Sequence, residues 1–115
     1  MIIKRENDND EIEYIFRILD TSKINYNSIK IFLDDKFKYS IYEKENGNVN
    51  ILIEIEKIEN SIDLIELVSE YSLSQIDIYI SLISSYDQGG ITVPDYITFI
   101  LKNISCELNF SYVIC

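Results

Sequence analysis

The sequence predicts an α+β domain: one mostly antiparallel sheet with helices on one face and the other face at least partly open. Three observations predict it. Five segments alternate apolar and polar residues at period two, and three others place isoleucine and leucine at helical spacing. Turn and cap residues fall between them, including Asn46-Gly47 and the Gly89-Gly90 pair. Apolar residues make up 47% of 115, enough to bury a core and offset the ordering entropy of one domain.

Residues 1–10 are polar and acidic and read as a flexible N-terminal segment; 11–115 read as a single domain. Ile12, Tyr14, Phe16 and Ile18 alternate with Glu13, Ile15, Arg17 and Leu19, which predicts a first strand. Ile29, Phe32 and Leu33 take helical spacing, with Asn27 as the expected N-cap. Phe37, Tyr39 and Ile41 alternate again. Asn46-Gly47 then predicts a type I′ hairpin turn, with positive φ at both central positions, leading into Val49, Ile51, Ile53 and Ile55.

Asn60 and Ser61 are the expected cap of a second helix, with Leu64, Ile65, Val68 and Tyr71 on its inner face. Ile76, Ile78, Ile80 and Leu82 form the next strand. Thr92 is placed to cap a third helix, with Pro94 in its first turn and Asp95 favoured there by the helix dipole. Ile97, Ile100, Leu101 and Ile104 are its buried stripe, and Leu108, Phe110, Tyr112 and Ile114 the last strand. The order β-α-β-β-α-β-α-β begins with the six elements of a ferredoxin-like βαββαβ core and adds a helix and a strand.

Much chemistry is missing. A phosphate-cradling loop needs a lysine after its glycines, but Gly89-Gly90 is followed by Ile-Thr-Val-Pro-Asp. That stretch reads as a turn and a helix cap. With no histidine, the chain has no Ser-His-Asp or Cys-His arrangement and no imidazole for zinc. Asp8-Asn9-Asp10 starts like a calcium loop, but Ile12 and Glu13 occupy the next ligand and the glycine position. A carboxylate pair could in principle hydrolyse a glycoside, but a small chain without tryptophan is a poor host for a sugar cleft. Cys106 and Cys115, if both on the last strand, lie roughly 30 Å apart on opposite faces, too far for a disulfide. The expectation is no enzyme, no metal and no cofactor.

Charge is the strongest bound: 20 Asp and Glu against 10 Lys and Arg, net −10. This repels phosphate backbones and attracts basic proteins. From Ile58 through Leu101 there are acids and no Lys or Arg. Glu59, Asp63, Glu66 and Glu70 follow at spacings of three and four, so they share one face of the second helix. Like charges at these spacings cost a helix about 0.2–0.5 kcal/mol per pair. A solvated face in an acidic protein is one reading of them; a stripe that docks a partner's lysines and arginines is the other. A second candidate surface is the open sheet face, where Glu13, Arg17, Tyr42, Glu54, Asp77 and Tyr79 should project. Tyrosines among carboxylates suit anchoring and steering, although half-wet strand positions also tolerate tyrosine.

The runs Ile76-Asp-Ile-Tyr-Ile-Ser-Leu, Gly89-Gly-Ile-Thr-Val-Pro-Asp-Tyr-Ile and Glu107-Leu-Asn-Phe-Ser-Tyr-Val-Ile114 resemble the C-terminal half of a family of small bacterial domains of unknown function. The resemblance covers about a third of the chain and its motifs are structural. Some of those domains look like toxin-immunity proteins, so it implies a cognate-inhibitor role and supplies no catalytic residue.

The expectation from sequence is thus a non-enzymatic acidic inhibitor, most concretely an immunity protein that occludes the active groove of a basic toxin such as a nuclease. A phage-encoded DNA mimic that blocks a nucleic-acid-binding defence complex is the alternative, and a housekeeping ligand-binding or scaffold domain the third. The expected partner is a basic protein, with no direct nucleic acid and no membrane. No apolar run reaches the ~18–20 residues of a membrane helix, and the first residues hold no signal-peptide core, so the cytoplasm is the expected compartment. Isoleucine-rich strands at a sheet edge could pair two copies into a homodimer.

Overall fold

The computed structural model describes residues 11–84 and 93–114. The expected positions of the N-terminal segment, the Gly89-Gly90 turn, the Thr92 cap and Cys115 lie outside them. The elements run β1 (Glu11–Thr21), α1 (Lys23–Lys36), β2 (Tyr39–Glu43), β3 (Val49–Glu54), α2 (Ile58–Tyr71), β4 (Ile76–Ser84), α3 (Asp95–Asn103) and β5 (Glu107–Ile114). This is the α+β order that the periodicities predict.

The five strands form one sheet in the order β2-β3-β1-β4-β5. The first four are antiparallel neighbours, in the arrangement of a ferredoxin-like core. The added β5 lies parallel to β4, a pairing that needs a crossover, which α3 supplies. β1, hydrogen-bonded on both sides, is the longest strand.

Register explains the core. Phe16 stands opposite Ile53 on one side and Ile78 on the other, and Ile18 opposite Ile51 and Ile76. All six are buried, and against them pack Ile29 and Leu33 of α1, Leu64 and Leu67 of α2, and Ile97 and Ile100 of α3. Each such side chain contributes about 1.5–3 kcal/mol on leaving water. The opposite parity, Ile15, Arg17, Leu52, Glu54, Asp77 and Tyr79, faces away from the helices.

Local chemistry departs from expectation at four places. α1 begins earlier than Asn27: Ser22 is its N-cap, and its hydroxyl accepts the Asn25 amide at 3.1 Å. α2 also begins earlier, at Ile58. Asn60, now inside its first turn, caps it by reaching back, its Oδ1 accepting the Glu56 and Lys57 amides at 2.9 and 3.1 Å. Ser61 is buried and donates to the Tyr96 carbonyl at 2.7 Å, fastening α2 to α3. Pro94 stands at the cap of α3 rather than in its first turn.

The β2–β3 turn is the fourth departure. Only Gly47 has positive φ, +88°. Its amide donates to the Lys44 carbonyl at 3.0 Å, while the Lys44 amide donates to Asn48 at 2.7 Å. These bonds fit a type I turn closed by a glycine bulge, the longer relative of the expected two-residue turn. The extra residue supplies the strands' twist without forcing Asn46 into a left-handed conformation.

Candidate protein-binding surfaces

The α2 face is built by amphipathicity. Leu64 and Leu67 point into the core, with Ile65, Val68 and Tyr71 half-buried beside them. Leu67 is a contact that the expected stripe omitted: the helix leans toward it because Asn60 and Ser61 also lie underneath. The far side therefore carries the acids. Glu59, Glu66 and Glu70 are exposed and Asp63 is half-buried. Eleven helical rises between Glu59 and Glu70 set the first and last of them about 16 Å apart along the axis.

None of these four carboxylates forms an ion pair among the described residues. The contrast with the other flank is sharp. Lys23, Lys30, Lys36, Lys38 and Lys44 each have a carboxylate within 4.0 Å: Glu43, Asp34, Asp35, Glu56 and Asp20 in turn. Five of the ten lysines and arginines thus pair around α1, β2 and β3, whereas the α2 row has no ion-pair partner among the described residues.

At the C-terminus of α2, Ser72 is left-handed, with φ 53°, and the Leu73 amide reaches the Val68 carbonyl at 3.2 Å. This closure satisfies helix-end carbonyls that would otherwise compete for a donor. No lysine or arginine lies in that last turn, so Glu70 meets the negative end of the dipole directly.

The second surface, the open sheet face, is partly sealed by its own residues. Arg17 grips Asp77 with Nε to Oδ1 at 2.7 Å and Nη2 to Oδ2 at 2.5 Å, and Asn109 Nδ2 donates to Oδ2 at 2.6 Å. The guanidinium also lies 4.6 Å over the Tyr79 ring. Asp77 is consequently 3% exposed although its strand face is open. The hydrogen bonds from Arg17 to Asp77 raise the Arg17 pKa, working against the burial that would lower it. Glu54 stands across from Ile15 and remains exposed; Tyr42, on the edge strand β2, is exposed and opposite Asn50.

Of the eight residues singled out from sequence, the fold therefore gathers Glu59, Asp63, Glu66 and Glu70 on one face. Asp77 and Tyr79 sit in a self-satisfied cluster on another, and Glu54 and Tyr42 lie beyond it. Asn109 and Asp20 were not anticipated. Asn109 reaches Asp77 only because β5 runs parallel to β4 with Tyr79 opposite Asn109, which no local pattern encodes.

Asp20 sits at a bulge where the β1–β3 register shifts, with φ 54°. Its Oδ1 accepts from Lys44 at 3.0 Å, Asn48 at 3.1 Å and Asn46 at 3.3 Å, and its amide donates to Asn50. Those side-chain donors, Asn48 foremost, hold its pKa down at about 2. Asp is among the few residues that tolerate this conformation, which is the one hint its sequence position offers.

A groove of about 430 Å³ runs beside Asp20, between the bulge, α1 and the end of α2. Among the described residues its one charged lining residue is Asp20, already occupied by the hairpin. Cys106 is half-buried, and that burial pushes its thiol pKa up, the opposite of an activated nucleophile. No cluster of three potential metal ligands occurs among the described residues. No described helix is long and apolar enough to cross a membrane.

Comparison of the chain with protein-family models, with curated proteins and with solved structures finds no match.

Proposed function

We propose that the protein is a non-enzymatic inhibitor that binds a basic protein partner through the outer face of α2. Its most concrete form is an immunity protein that covers the cationic groove of a toxin such as a nuclease. The observation that carries this reading is the row Glu59, Asp63, Glu66 and Glu70, which faces solvent without a described cation while every lysine from Lys23 to Lys44 is paired. An anionic row left uncompensated costs helix stability, and a cationic surface is its natural complement. The sheet face contributes less, because Asp77 spends its acceptors on Arg17 and Asn109.

Capture of binding proteins from the producing cell, with the native chain and with Glu59, Asp63, Glu66 and Glu70 all changed to lysine, tests the proposal. One basic partner retained by the native chain and lost by the variant supports it. Its association rate should fall steeply with salt while dissociation changes little. Equal capture by both chains, or none by either, would overturn it. A partner encoded beside this gene would mark a toxin; a nucleic-acid-binding defence complex would mark the DNA-mimic alternative.

A further inference from the structure

We infer that β5 is a self-pairing edge, through which two copies of the chain join antiparallel into one continuous sheet. The two edges of the sheet are built differently. β2 has five residues, ends in Glu43, and is flanked by Lys38 and Lys44, the short charged form that discourages pairing. β5 has eight residues, Glu-Leu-Asn-Phe-Ser-Tyr-Val-Ile, with no lysine, no proline and a single charge at its first position. It is hydrogen-bonded to β4 on one side. Among the described residues no strand pairs with its other side, where the backbone donors and acceptors form the template that other edges conceal.

Side chains agree with the backbone. Leu108 and Phe110 stand beside Ile78 and Ile80 in the parallel register, on the helix-bearing side of the sheet. Yet they are 44% and 53% exposed, whereas Ile78 and Ile80 are buried. They extend the core's inner layer past the last strand. A strand added at this edge would continue that layer and cover them.

A second copy is the occupant that charge selects. Two chains of net −10 repel each other, most strongly where the α2 rows face, so contact is favoured where charge is thin. β5 is such a place. Paired antiparallel about Phe110, it sets Leu108 opposite Tyr112 of the second copy and Glu107 opposite Val113, so no like charges face each other. The pairing is isologous and closed. Because the β2 edge is blunted, it stops at two copies instead of propagating into a fibre. With eight residues a side, the interface lies at the small end of specific ones, and a dissociation constant in about the micromolar range follows.

Sedimentation equilibrium of the full chain across a concentration series, at low and high salt, tests this. The expected result is a monomer–dimer equilibrium that shifts toward dimer as salt screens the self-repulsion. That is the opposite of the salt response proposed for the α2 partner, so the two surfaces can fail separately. Leu108→Lys and Phe110→Lys, made one at a time at these exposed positions, should each weaken the dimer about tenfold or more with unchanged circular dichroism. Amide exchange in β5 of the native chain should slow as concentration rises. A chain that stays monomeric up to about millimolar concentration, or a dimer that survives both lysine variants, would overturn the inference.

Discussion

Replacing Asp77 by alanine should destabilise the fold more than any other change on the sheet's open face. The carboxylate is 3% exposed and accepts two hydrogen bonds from Arg17 and one from Asn109. Removing one partner of a buried ion pair costs about 3–5 kcal/mol, because the other charge is left uncompensated. Arg17 is 26% exposed at its side chain and keeps the Tyr79 ring beneath it, so part of that cost is relieved by water and by the ring. The expected loss is about 3 kcal/mol. In urea, at a slope of roughly 1–1.5 kcal/mol per molar, this moves the midpoint down by about 2–3 M without changing the slope. The double change Arg17→Met with Asp77→Leu leaves no unpaired charge and should recover most of the stability. A loss below about 1 kcal/mol for Asp77→Ala, or a double variant no better than the sum of its single changes, would refute the view that the pair acts as a unit.

Three further outcomes are expected. Glu70→Lys should raise the unfolding free energy measured in urea by about 0.5–1 kcal/mol, by removing the repulsion from Glu66 and placing a cation at the helix C-terminus, while weakening partner capture. Gly47→Ala should cost about 1 kcal/mol in thermal unfolding; the space around a new Cβ is empty, so the cost comes from φ +88° alone, and Gly47→Asn should be milder. The Asp20 carboxyl, held at about 2 in the fold against an ordinary 3.8, stabilises the fold fully above pH 4, and this contribution fades as pH falls toward 2. Asp34 is also lowered, by Tyr39 and Lys30, and works in the same direction. Asp20→Asn should therefore flatten part of the acid limb of a stability-against-pH curve measured from pH 6 to 2.

The acidic row of α2 was legible because helical spacing and charge are both local properties. Glu59, Asp63, Glu66 and Glu70 share a face on any helix that buries Leu64. The order of elements was legible for the same reason: period two and period 3.6 read directly as strand and helix. Cap positions were read less well. Asn60 looks like an N-cap by residue type, and the alternative, reaching back from the first turn, uses the same side chain one turn further in. Asn46-Gly47 likewise suits two turn types, and the chain adopted the one with the glycine bulge.

By itself, then, the sequence determined the α+β class, the inward faces of the strands and the anionic side of α2, since each follows from residues a few positions apart. Tertiary structure alone decided that Arg17 meets Asp77 across 60 residues, that Asn109 joins them, and that Asp20 gathers the far hairpin. It also decided which strand is left at the edge with Leu108 and Phe110 uncovered. These depend on which strands become neighbours and in what register. That choice is made by the summed burial of the whole core, and no short window of sequence contains it.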